Sequence, residues 1–304
     1  MPSHSVNWGV LAPVLVACAG VCWGLISLFS QTLAAAGLDS FQIAATRCVL
    51  TCAGSAVYAL VRARDAFRIR IRDIWMFLGT GVASIALFNT CYFASIAANG
   101  VSLAAMLLYT APFFVVVLSA LLFGEALTRV KLVALVVAFA GCLLVVGVGS
   151  DGAGVTLAGV LVGLGSGIGY ALYSIFGRFA LRRYGAPTLL FYTFLFASLA
   201  LMPFAHPVQL VCCIASSSRS VGAALALSFL STLAPFACYT LGLAHMDTGT
   251  ASIMAFIEPM VSLLVGVCHF GETLTSGNIA GIVCIAAAVL LLNARLPQLR
   301  KRRE

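Results

Sequence analysis

Charge is what this chain has least of. Only 9% of its 304 residues are Asp, Glu, Lys or Arg, and residues 1–38 contain none. A soluble domain could not cover its surface with so few charges. Histidine is scarce too: there are four, none grouped with Cys or an acid at metal-ligand spacing, so no metal site is expected. No Lys-bearing, glycine-rich loop follows a strand, which excludes a nucleotide site of that kind, and no motif calls for a cofactor. Soluble segments are short, which argues against a receptor or scaffold.

Apolar residues are abundant. They make up 62% of the chain, and the mean hydropathy is +1.11. Long apolar runs make the bilayer the solvent, where only helices and closed barrels can span. These runs are continuously apolar rather than alternating, so they predict helices. We expect ten: roughly 9–30, 40–61, 74–95, 101–123, 130–148, 155–177, 187–205, 221–243, 250–270 and 276–294. Asn99-Gly100 divides an uncharged run, 74–124, that is too long for one crossing. Gly124 and Gly271 are expected to end helices, with Thr128 and Thr275 as N-caps for the next.

The eleven cysteines lie almost wholly within apolar segments. Cys18/Cys22 and Cys48/Cys52 are spaced i,i+4 without a ligand partner, and read as small packing residues. Ala34-Ala35-Ala36 resembles a signal-peptidase site. No basic region precedes it, however, and its apolar run is too long, so a retained helix is expected.

The formal charge of +8 does not point to nucleic acid, because of where it sits. With the N-terminus in the cytoplasm, fifteen of the seventeen basic residues fall in cytoplasmic loops or the C-terminal tail. Arg219 lies outside and Arg47 within a span. That asymmetry predicts cytoplasmic N- and C-termini.

The chain also matches itself. At an offset of 147, residues 9–146 fall on 156–293 without a gap. Pro112 and Gly124-Glu125-Ala126-Leu127-Thr128 meet Pro259 and Gly271-Glu272-Thr273-Leu274-Thr275. Two units are expected, 9–148 and 155–294, with a basic cytoplasmic tail at 295–304; the link is Ser150-Asp151-Gly152-Ala153-Gly154. Five helices per unit is an odd number, so the repeats run through the membrane in opposite senses. Inverted repeats place substrate at their interface and support alternating access.

These features resemble the EamA family of the drug/metabolite transporter superfamily: ten helices, two five-helix repeats and the paired Pro…Gly-Glu-x-Leu-Thr endings. Trp23-Gly24 and Arg47 add to the likeness. The resemblance covers nearly the whole chain. It implies secondary transport of small metabolites, commonly export of amino acids or related compounds across the bacterial inner membrane.

Two strongly ionisable residues lie well inside spans, Glu258 and Arg47. A charge there is costly unless it faces a wet cavity or the bundle interior. Glu258 precedes Pro259, which frees the Ala255 carbonyl and kinks the helix. That setting suits an ammonium group or a proton; the alternative is a hydrogen-bonded carboxylate near a helix end. The first half has Ala111 there. Arg47 could meet a substrate carboxylate, pair with Glu258 or snorkel to the interface; its counterpart is Phe194.

Trp23, Ser27, Asn89, Tyr92, Tyr109, Tyr170, Tyr173 and Tyr239 supply aromatic surface with polar tips, suited to an amphiphilic substrate or to core packing. The matched pairs Trp23/Tyr170 and Tyr92/Tyr239 are expected to face each other. Glu125 and Glu272 fall in tight turns, where Glu125 is expected to cap or to pair with Arg129. His269, at a helix end, is a lone interfacial histidine that could relay protons. Gly20-x-x-x-Gly24 and the glycines at 163, 165, 167 and 169 permit close helix approach.

The expected partners are therefore a small-molecule substrate, the lipid bilayer and protons, with no nucleic acid. An exporter of amino acids is the leading reading, and a cationic-drug efflux permease is the alternative. An integral membrane enzyme is remote, because a catalytic pair of carboxylates or metal ligands in the bilayer is missing.

Overall fold

Among the described residues, ten helices are long and apolar enough to cross a membrane. The computed structural model describes residues 7–147 and 155–300, the side chains of 295–300 excepted. The link at 148–154 and the tail's basic side chains therefore lie outside the described residues. The spans are α1 (Trp8–Ala35), α2 (Ser40–Arg62), α3 (Ile71–Asn99), α4 (Val101–Phe123) and α5 (Arg129–Val146). The second five are α6 (Leu157–Leu181), α7 (Ala186–Phe204), α8 (Ser218–His245), α9 (Thr248–Phe270) and α10 (Ser276–Ala294). A short helix, Pro207–Ala215, between α7 and α8 went unforeseen, as did a 3-10 turn at Arg64–Phe67 between α2 and α3.

The helix ends follow from local chemistry. Gly124 and Gly271 adopt left-handed φ values of 68° and 71°, which only glycine takes up without strain. Thr128 Oγ1 accepts from Lys131 N–H at 3.2 Å, and Thr275 Oγ1 from Asn278 N–H at 3.1 Å, so both N-caps form. Asp39 and Gln42 close a capping box at the start of α2. Two wider, π-type turns occupy matched places, Gly79–Ala86 in α3 and Phe229–Leu233 in α8.

The halves are related by inversion. Trp8, at the start of α1, stacks on His245, at the end of α8, with ring centroids 3.6 Å apart. At the start of α6, Thr156 accepts from Asn99 Nδ2 at 3.3 Å through its carbonyl. Its own amide and hydroxyl both donate to Asn99 Oδ1, at the end of α3. The last turns of α1 and α3 line one cavity mouth, so α1 and its match α6 begin at opposite ends of the bundle.

Small residues bring the helices together. A Cβ at Gly24 would lie 2.5 Å from the Val261 Cβ of α9, and one at Gly167 would lie 2.8 Å from the Leu107 carbonyl of α4. α1 thus packs on α9 as α6 packs on α4. With lipid on the far side, close van der Waals approach takes over the role that apolar burial has in water. Leu121, Leu161 and Leu290 accordingly point outward from the bundle.

The end carrying the basic loops is tied shut. Asp73 accepts from Arg183 Nη1 at 2.5 Å and from the Tyr184 hydroxyl at 2.8 Å, joining the start of α3 to the α6–α7 link.

Candidate functional site

Proline sets the shape of the site. Pro259 has no N–H, so α9 cannot continue its ladder through Ala255. The helix is interrupted at Ala255–Phe256 and restarts at Ile257. α4 does the same at Tyr109–Thr110, with Pro112 in the first turn of the restart. The expected kinks are thus full interruptions. The Ala255 carbonyl is not left free: it accepts from Glu258 N–H at 2.9 Å.

A cavity of about 720 Å³ opens between the halves, at the end opposite the basic loops. Glu258 forms part of its wall. Tyr109 donates to Oε1 at 3.5 Å and Tyr170 donates to Oε2 at 3.1 Å, one phenol for each carboxylate oxygen. Trp23 meets the Tyr170 ring edge-on at a centroid distance of 6.5 Å. Phe88 also meets the Tyr170 ring in a T-shaped contact, with centroids 5.5 Å apart.

Arg47 lines the same cavity and is only 9% exposed. Its Nε finds no hydrogen-bond partner among the described residues. A buried guanidinium with an unused donor, facing an open cavity, is chemically ready for an anion. Ser27 also lines the wall, and its hydroxyl oxygen has no hydrogen-bond partner among the described residues. Asn89 and Tyr92 complete it; Asn89 Nδ2 donates to the Ile85 carbonyl at 2.6 Å.

Eight of the ten candidate residues therefore share one cavity. Tyr173 and Tyr239 do not. They lie one layer deeper, around a space of about 20 Å³. There Tyr173 shares a hydrogen bond with Thr240 at 2.6 Å, and Tyr239 shares one with Ser174 at 2.7 Å. Of the two matched pairs, Trp23 and Tyr170 meet. Tyr92 and Tyr239 do not: Tyr92 lies beside Phe93, and Tyr239 lies beside Trp23 at 5.4 Å.

Glu125 caps, as one of its two expected roles had it, but the helix it caps and its ion-pair partner are not the neighbouring ones. Its partner is Lys131, at 3.6 Å, rather than Arg129. Its carboxylate accepts from Thr248 N–H at 2.6 Å and from Gly249 N–H at 3.0 Å, so it caps the start of α9 in the other half. Burial pushes this carboxyl up, but the two amides and the Lys131 ammonium outweigh that and hold it below its ordinary value.

Sequence reasoning missed Phe88, Phe236 and Gln31, which also line the cavity, and it read Glu272 only as a turn residue where it stands at the mouth. Phe236 was within reach, since it is the counterpart of Asn89 at the fixed offset. Among the described residues no group of His, Cys and acids could hold a metal ion.

The sequence model of the EamA-like transporter family matches twice, at residues 10–147 and 157–294. An uncharacterized transporter of Archaeoglobus fulgidus is 32% identical over 211 residues, covering 68% of this chain and 74% of that protein. A probable amino-acid metabolite efflux pump of Salmonella typhimurium is 25% identical over 62% of this chain and 66% of its own. The threonine/homoserine exporter RhtA of the same species is 27% identical over 72% of each. A solved crystal structure shares the fold, with a TM-score of 0.78 at 18% identity over 95% of this chain and 98% of that one.

Proposed function

The chain belongs to the EamA-like transporter family, and from that premise we propose that it exports amino acids or closely related zwitterions by alternating access. The observation carrying this reading is the pairing of one acid and one base in a single cavity. Glu258 is set for an ammonium group or a proton, and Arg47 has a donor to spare for a carboxylate. The volume of about 720 Å³ lies within the ~300–1,000 Å³ usual for small-molecule sites. The aromatic walls accept an apolar side chain. Two of the relatives, a probable amino-acid metabolite efflux pump and a threonine/homoserine exporter, support the same class.

The membrane we assign is the bacterial inner membrane, with both termini cytoplasmic. The basic loops at the closed end support this orientation, which makes the cavity outward-facing. Glu258 would exchange a proton for the substrate's ammonium, which couples export to the proton gradient.

A cationic-drug efflux permease is the second reading, favoured by the aromatic rings around Glu258. The test is purified protein in liposomes, a panel of labelled amino acids and a cationic dye, with and without a pH gradient. Saturable, pH-responsive amino-acid flux supports the first reading. Dye flux alone overturns it in favour of the second.

A further inference from the structure

The two repeats end α4 and α9 in the same way, yet the carboxylates that follow do different things. Glu125 reaches across to the other half and accepts from the Thr248 and Gly249 amides. Gly249 sits close on α4, where a Cβ would lie 3.2 Å from Val116 Cγ2 and 3.4 Å from Ser119 Oγ. This end of the bundle is shut.

At the offset of 147, Glu125 matches Glu272, and Thr248 and Gly249 match Val101 and Ser102. Val116 and Ser119 match Leu263 and Gly266. Among the described residues, Glu272 makes no such contact with Val101 or Ser102. Val101, Ser102, Leu263, Gly266 and Glu272 all line the open cavity instead. The Glu272 carboxylate lies back over Gly266, where a Cβ would be 2.3 Å from Oε2, and it has no hydrogen-bond or ion-pair partner among the described residues.

We propose that Glu125 and Glu272 are alternating gate locks. In this outward-facing state Glu125 holds the inner gate closed. In the inward-facing state Glu272 takes the matched place, accepting from the amides of Val101 and Ser102, while Glu125 lets go of α9. Both are positioning residues, acting through the helices they hold. The inference rests on the alternating-access reading above but not on the identity of the substrate.

The two locks are unequal. Lys131 bridges Glu125 at 3.6 Å and Asp247 at 3.9 Å. The counterparts of Lys131 and Asp247 are neutral: Asn278 and Gly100. Asn278 is already committed, donating to the Leu144 and Val145 carbonyls. The inner lock thus has a cation that the outer lock lacks, and the resting protein favours the outward-facing state.

Hydrogen–deuterium exchange on the full chain in nanodiscs, without substrate, reads both gates through the locked amides. In Glu125→Gln, exchange at 248–249 should rise about tenfold, the effect of losing one charge-assisted bond, and exchange at 101–102 should fall. Glu272→Gln should do the reverse. Asn278→Lys, which adds the missing cation, should protect 101–102 without removing any native carboxylate. A local rise with no opposite change at the other gate overturns the proposal, because a purely structural carboxylate would behave that way. The same holds for a rise at both gates in either variant. Reciprocal exchange without amino-acid flux keeps the locks and overturns the substrate; intact flux without reciprocity does the opposite.

Discussion

Laid over each other, the two halves agree at the turns that end α4 and α9 and disagree at the two charged residues held within the spans. The glycines at 124 and 271 share a conformation, and the interruptions before Pro112 and Pro259 share a place. Arg47, however, faces Phe194 across the offset, and Glu258 faces Ala111. Phe194 is fully buried against Phe236, and Ala111 is sealed among Val115, Ala171 and Ile175. Duplication supplied a symmetrical frame, and the candidate chemistry exists once. A transporter needs the frame twice, to open on either side, but it needs only one site.

The sharpest way to break that asymmetry is at its acid. Glu258→Gln keeps the shape but removes the ionisable carboxyl held by Tyr109 and Tyr170. Transport should fall by at least about 30-fold, as when one partner of a buried charge pair is lost. Moving the acid to its mirror position, with Ala111→Glu and Glu258→Ala together, should not restore flux, because Ala111 faces packed side chains rather than the cavity. Flux in liposomes checks both variants. Full, pH-responsive activity in Glu258→Gln would remove Glu258 from the mechanism.

Arg47 comes next. Arg47→Ala should weaken transport of carboxylate-bearing substrates about tenfold to a hundredfold, the range for lost hydrogen bonds to charged groups. Uptake of a cationic dye should be unchanged. Equal losses for both would make the arginine structural.

All ten crossings were legible in the sequence, because length and unbroken apolarity leave a bilayer segment few alternatives. The inverted relation was legible too, from an odd number of helices in each repeat. The site was legible in part. Glu258 and Arg47 stood out because a charge in a span is costly. The tyrosines carry no such mark, so sequence could not separate Tyr109 and Tyr170, on the carboxylate, from Tyr173 and Tyr239, one layer below. Nor could it see that Glu125 reaches the other half, since that contact spans more than 120 positions and depends on which gate is closed.

A smaller effect separates the two phenols. Tyr170→Phe should slow transport about threefold to tenfold, as the loss of a single hydrogen bond would. Tyr109→Phe should cost less, because its contact is 3.5 Å against 3.1 Å and hydrogen bonds weaken with length. Flux for both variants, measured at one pH, gives the order. A larger loss in Tyr109→Phe would move the functional weight onto α4.

The smallest expected effect compares the two turn carboxylates under acid. Glu125 is held below its ordinary value of 4.5 in the folded protein, because Gly249, Thr248 and Lys131 all favour its charged form against the cost of burial. A depressed carboxyl stabilises the fold above its unfolded value, and that stability is lost as the pH falls through the folded one. Thermal melting in detergent should therefore show an acid limb that begins near pH 4.5 and steepens below it. Glu125→Gln cannot lose a proton there, so its melting temperature should be lower than wild type near neutrality and should converge on it in acid. Glu272 has no such bonds to give up in the outward-facing state, and Glu272→Gln should follow the wild-type limb. If both variants flatten the limb alike, the two turns are equally engaged in the resting protein, and the inner gate is not the one that is locked.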